Sequence, residues 1–246
     1  MSDDIRSGYD VTHFTIRDMT ECGKAMRSAR EGAASMEETA GRIVRLLYEG
    51  LVDEEGGAAC ALVRFYKTHS YGGLDEELQR FARAAMESAP PWPGMKCLVL
   101  LATIGAEASW CSRRNSHGHQ AIPLPSEEAL GMAPMISSLI TQLGLSVGTV
   151  VNPEPDLLLD LEQRSYNVFF VPEALGSPHV PAQDDFVVPH RIRSVLGFGG
   201  FLPWGEMFAV ILFLKVPISQ ETANLFKPLS LNVKLAILPF EEKVFA

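Results

Sequence analysis

The sequence predicts an α+β fold, and three observations carry that prediction. Residues 192–201 and 207–214 form two strand-like runs on either side of Leu202-Pro203-Trp204-Gly205, a tight-turn tetrapeptide with proline second and glycine fourth. Apolar residues recur at spacings of three and four within residues 16–30, 36–51 and 219–238, the period of amphipathic helices. The 246-residue chain is 47% hydrophobic, enough for a full core.

Residues 1–12 are polar and are expected to fray. Thr15, with Asp18 three residues on, is a capping-box pair opening a helix over about 16–30. Its stripe of Ile16, Met19, Cys22, Met26 and Ala29 can dock on the chain's own body or on a second copy. Gly32-Ala33-Ala34 reads as a hinge. Ser35 and Glu38 form a second capping box for a helix expected to end near Asp53, with Met36, Ala40, Ile43, Val44, Leu47 and Leu51 inward. A strand is predicted over 58–67. A helix follows from about Leu74, its inner face formed by Leu78, Phe81, Ala82 and Ala85, and stopped by Pro90, Pro91 and Pro93.

Residues 95–104 read as a buried strand that turns at Gly105-Ala106 into a second strand over 108–112, giving a hairpin. A polar loop is expected over 113–125. Ser126 then caps a helix running to about Leu143 and stopped by Gly144. A short helix over 157–163 and a short strand over 166–171 are the expectations for the next stretch. Residues 172–189 hold four prolines and little periodicity, which suits either a binding-site wall or a surface crossover. Residues 207–214 are apolar on both faces, so this strand belongs in the centre of a sheet covered on each side. Ser219 caps a closing helix to about Leu238, with a kink expected at Pro228.

Composition excludes several classes. A net charge of −9 leaves little basic surface for phosphate backbones, and Arg113-Arg114 is too short a run to reverse that, so no nucleic acid is expected. The longest apolar run, 207–214, is far below the roughly 20 residues of a membrane span. With a polar, acidic start in place of an export signal, a cytoplasmic location without membrane contact is expected. Cys22, Cys60, Cys97 and Cys111 show no CxxC spacing and read as free thiols. Phosphate-cradling, GxSxG and HExxH motifs are absent, and Glu127-Glu128 and Asp184-Asp185 read as solvated pairs rather than acid/base partners.

Ile192-Arg193-Ser194-Val195-Leu196, the hairpin ending in Phe208-Ala209-Val210-Ile211-Leu212-Phe213, and the helix beginning Ser219-Gln220-Glu221-Thr222-Ala223 resemble the closing passage of GAF domains. The helix over 36–51 and the strand near Leu62 resemble that family's opening. The resemblance spans roughly residues 36–238. It implies a PAS-related central antiparallel sheet, with terminal helices on one face and a roofed small-molecule pocket on the other. On this reading residues 35–240 are the sensor domain, 1–34 an N-terminal segment with a helix, and 241–246 a tail. Such modules sit in bacterial signalling proteins, ahead of kinases, phosphatases or cyclases. The chain is therefore expected to sense an unknown small molecule and pass its state to a signalling partner, as a homodimer joined through its terminal helices.

Candidate pocket residues are Cys97, Trp110, His119, Phe169, His179, His190, Gly197 and Gly199. Gly197 and Gly199 share a strand face, where missing side chains give space for a ligand or mark a bulge or close backbone packing. A haem would need one axial histidine, for which His119, His179 or His190 could serve. No bilin is expected, because no cysteine follows Cys111. Cys111, His117 and His119 are metal-ligand types, but their spacing matches no closed site and a fourth ligand is missing, so a polar loop with two exposed histidines is the expectation and no metal is expected. Two alternatives remain. One is a ligand-free interaction module whose pocket is filled by Trp110, Phe169 and Phe170. The other is a thiol-dependent reductase of the free methionine sulfoxide type, with Cys97 and Cys111 facing each other across the 95–112 hairpin.

Overall fold

The computed structural model describes residues 8–86, 90–116, 118–152 and 167–246. The expected helix over 157–163 and Tyr166 lie outside them. In chain order the elements are β1 (Tyr9–Asp10), α1 (Ile16–Ser28), α2 (Met36–Gly50), β2 (Leu51–Val52), β3 (Cys60–Ser70), α3 (Glu76–Ala84), β4 (Lys96–Gly105) and β5 (Ala121–Leu124). They continue with α4 (Glu127–Gly131), α5 (Pro134–Gln142), α6 (Val147–Val151), β6 (Phe169–Val171), β7 (Ser194–Phe201), β8 (Met207–Leu214), α7 (Gln220–Asn224) and α8 (Leu229–Ile237).

Among the described residues, β3 to β8 form one six-stranded antiparallel sheet in the order β5-β4-β3-β8-β7-β6. All eight residues of β8 are buried, and the strand lies between β3 and β7, as its two-sided apolar pattern requires. Side chains alternate between two cores. Val63, Phe65, Phe198, Phe208, Val210 and Leu212 point to the side of α1, α2, α7 and α8. Leu62, Tyr66, Leu98, Leu100, Ala209 and Ile211 point to the side covered by α4, α5, α6 and residues 172–193. The layers are those the GAF resemblance implies.

The helical face is built as the sequence reads. Thr15 and Asp18 form the capping box of α1, and all six predicted inner residues of α2 and its end are buried. In α2, however, Ser35 caps Glu38 N while the Glu38 carboxylate accepts from Ala34 N, one residue earlier than a capping box requires. That helix ends at Gly50, because Leu51-Val52 pairs in parallel with Tyr9-Asp10; the N-terminal residues expected to fray include this β1 strand. The stripe of α1 docks on the chain's own α8. Gly23 permits the close approach, since a Cβ there would lie 2.8 Å from Asn232 Nδ2. Arg27 donates to the Asn232 side chain, and Phe14 stacks on Phe226 at 4.8 Å. Ile16, the first member of the stripe, is exposed. Pro228 separates α7 from α8, as expected.

Four further expectations are corrected. No strand follows β4 directly. Ala106 N still donates to Ala61 O, and residues 108–110 and 113–115 form two 3-10 turns that fold Trp110 back over the sheet. The partner strand of β4 on its outer side is β5, inside the expected polar loop. Pro123 hid it, yet a missing N–H is harmless on an edge strand. The helix expected over 126–143 breaks into α4 and α5, because Pro134 can only start a helix, not continue one. In α3 the C-cap Ala85 is exposed instead of facing inward.

Candidate functional site

The roof face of the sheet holds a cavity of about 510 Å³. Its floor is Leu62, Arg64 and Tyr66 of β3, Leu98 of β4, and Ile211 and Phe213 of β8. Its walls are Trp110, His119, Ile122, residues 132–136 with Leu139 of α5, and Pro178, Pro181, Ala182 and Phe186 of the crossover. The volume lies within the range of small-molecule sites. Ala209 on β8, beside the floor, adds little bulk to that face.

The walls are held by strained turns. Among the described residues the non-glycine positions with positive φ are His119 (58°), Ala182 (57°) and Arg191 (55°). Gly118, at φ 78°, precedes His119, and this left-handed pair turns the chain where His119 joins the cavity wall. Ala182 opens a π-helical turn over Gln183–Val187 that carries Phe186 to the cavity. The Gln183 side chain ties this turn to the chain before it, donating to Ala174 O, Ser177 O and Val180 O at 2.8–3.3 Å. Backbone strain clustered in this way marks sites where geometry is held for a purpose.

Among the described residues the cavity lining holds one permanently charged group, Arg64. The lining includes no Asp or Glu among the described residues. Arg64 Nη1 donates to Tyr66 Oη at 3.2 Å and Nη2 to Ser116 Oγ at 3.4 Å, while its buried Nε has no partner. Burial raises the Tyr66 pKa above its ordinary value, with Arg64 opposing, so the phenol stays protonated. His119 stands at the solvent-exposed rim of the cavity. Desolvation by the packed walls, followed by the positive charge of Arg64, lowers its pKa from the ordinary histidine value, which favours a neutral imidazole at pH 7.

The pocket residues expected from sequence do not all meet at the cavity. Trp110 and His119 line the cavity. His190 lies behind the wall, with its ring 4.5 Å from Trp110 and 5.7 Å from Phe186. Phe169 sits in the roof-side core, packed against the position a Gly197 Cβ would take. His179 belongs to a separate surface depression with Gln142 and Phe170. Gly197 and Gly199 open no space. A Cβ on Gly199 would lie 2.1 Å from Phe208 O, so this position is close backbone packing between β7 and β8.

Cys97 is a correction. Leu98 and Leu100 belong to the roof-side core, so Cys97 points away, into a cluster with Tyr71, Leu78 and Ala82. Burial pushes its thiol pKa up to about 12, and exposed Cys111 bonds weakly to Gly105 O and Glu107 O, at the other end of β4 from Cys97. The two thiols therefore do not face each other across a hairpin, as the reductase alternative expected. Nor does the pocket fill itself as the interaction-module alternative requires. Phe170 points into the helical-face core and Trp110 forms a wall. No cluster of three metal-ligand residues occurs among the described residues; His117 lies outside them.

Arg64 and Tyr66 were missed from sequence. The signal was present: a charged residue and a tyrosine two apart on a strand otherwise apolar on that face.

No protein-family model matches the chain, and no curated protein matches it. Among solved structures the chain is similar to the GAF domain of a phosphoenolpyruvate-protein phosphotransferase (ptsP) from Coxiella burnetii. The identity is 10% and the TM-score 0.43, over 90% of this chain and 92% of that chain. The architecture described above stands on its own strand order and packing. Among the described residues, no helix is long and apolar enough to cross a membrane.

Proposed function

We propose that this chain is a GAF-type sensing module of a signalling system, binding a small molecule between the sheet and the roof. The observation that carries this reading is the 510 Å³ cavity, apolar but for Arg64, Tyr66 and His119, and walled by strained turns. Pockets of this make-up, with few polar groups among apolar walls, are the usual form of small-molecule sites. Ligand contact with α5 and the crossover stabilises one arrangement of the roof. Ser116, bonded to Arg64, lies in the segment that also carries Arg113, which grips the start of α2. That segment is a physical route from the pocket to the helical face, where a signalling partner acts in the cytoplasm.

The homodimer follows the same layout. Leu231 and Leu235 of α8 lie one turn apart and face outward, away from α1 and β7. A second copy would cover them around a two-fold axis.

The test is a thermal-shift screen of a metabolite collection against the native chain and Ile122→Trp, which fills the cavity from β5. Compounds that raise the melting temperature of the native chain and not of the variant support the sensor. A collection of several thousand compounds with no such hit rejects it.

A further inference from the structure

We infer that the ligand of this cavity is a carboxylate with an apolar body, its head held by Arg64 and Tyr66. This rests on the sensing reading above and names the chemistry of its ligand. A guanidinium carries five N–H donors, and a carboxylate is its geometric match through two of them. Here two donors are engaged, by hydroxyls at 3.2 and 3.4 Å, both long for charge-assisted bonds. The buried Nε is unpartnered, and a buried donor without a partner is costly. Among the described residues no carboxylate of the protein pairs with Arg64, although the chain carries a net charge of −9 and pairs the buried cations Lys67 and Arg113 with acids. An external anion would supply the partner that the described residues do not give Arg64.

Tyr66 completes the head site. Its oxygen accepts from Arg64, which leaves its proton free to donate to an oxygen bound at the guanidinium edge. A neutral His119 beside them adds a ring nitrogen without a second full charge, so the site suits a single negative charge. The rest of the cavity fixes the body. Trp110, Phe186, Phe213 and Leu139 offer carbon surface and no further ionic partner. A bare inorganic anion would leave that surface in contact with water.

The experiment is calorimetric titration of the native chain with phenylalkanoates of two to six chain carbons, each beside its neutral amide, with acetate as the bodiless control. The acids are expected to bind at least tenfold tighter than the amides, and acetate weaker than any phenyl acid. In Arg64→Met the acid preference disappears while amide binding persists. Arg64→Gln serves as a second variant should the first fold poorly, and the native acid-to-amide ratio stands independently of both. Equal binding of acids and amides, or a preference that survives in both variants, overturns the carboxylate head and leaves the sensing reading intact. Acetate binding as tightly as the phenyl acids overturns the apolar body. Absence of binding by every acid and amide overturns the inference, and the compound screen above then decides the sensing reading by itself.

Discussion

Arg113 grips Glu37 with two parallel bonds, Nε to Oε1 at 2.6 Å and Nη2 to Oε2 at 3.0 Å, with the arginine almost fully buried. The pair joins the loop after β4 to the first turn of α2, and the chain's last residues close over it. Lys243 O and Val244 O accept from Met36 N and Glu37 N at 2.8 Å, and Phe245 lies under the guanidinium at 5.3 Å. The tail thus satisfies two of the free N–H groups at a helix start. Arg113→Ala removes one partner of a mostly buried ion pair and is expected to cost about 2–4 kcal/mol, measurable by urea unfolding. It should also speed amide exchange at Met36 and Glu37. Unchanged exchange there would show that the tail holds without the arginine.

Lys67 and Glu206 give a test in pH. Nζ of Lys67 lies 2.8 Å from Glu206 Oε2 with the lysine buried, and Lys96 stands 3.9 Å from the other carboxylate oxygen. Burial lowers the Lys67 pKa, and Glu206 opposes that. Between the lowered folded value and 10.5 the unfolded chain binds more protons, so stability gained at this site rises with pH through that window. Glu206→Gln leaves the ammonium buried without its counter-charge, at a cost of about 3 kcal/mol at pH 7. The deficit is expected to shrink toward pH 10, where the lysine is neutral. Unfolding curves at the two pH values decide it, and an equal deficit at both contradicts the assignment.

His119 reports the charge of Arg64. Its pKa sits below 6.5 for two reasons, desolvation first and the guanidinium second. In Arg64→Met the second cause is gone, so the value is expected to rise while staying below 6.5. Proton NMR titration of the imidazole measures it. A value that does not move would place the two groups further apart than the cavity geometry requires.

The two glycines of β7 are expected to differ sharply. Gly199→Ala drives a Cβ to 2.1 Å from Phe208 O, a backbone atom that cannot give way without parting β7 from β8. Loss of folding, or about 3 kcal/mol or more, is expected from such overpacking. Gly197→Ala meets only the side chains of Phe169 and Leu139, at 3.2–3.3 Å, and is expected to cost about 1 kcal/mol. Equal melting temperatures for the two variants would contradict the close strand contact.

Leu231→Glu combined with Leu235→Glu puts charge on the outer face of α8 while leaving its inward Leu229, Val233 and Ala236 in place. If a second copy covers this face, the variant is expected to sediment as a monomer at concentrations where the native chain sediments as a dimer. An unchanged sedimentation coefficient removes α8 from the interface.

The sequence by itself determined the parts governed by neighbours in the chain. The bounds of β8, the capping of α1, the break at Pro228 and the apolar face of α2 all follow from periodicity, capping chemistry and proline. These act over a few residues, and the two-sided apolar run of 207–214 could only be a covered central strand. Tertiary structure decided what depends on contacts between distant segments. Cys97 and Leu98 are equally apolar neighbours, and only the pairing of β4 with β3 and β5 settles which faces the cavity. Ala121 to Leu124 became a strand because an edge was open beside β4, against the local vote of Pro123. Arg64 and Tyr66 read as ordinary strand residues until the roof enclosed them, since burial, which gives the unpartnered Nε of Arg64 its consequence, is a property of the assembled layers and not of the chain.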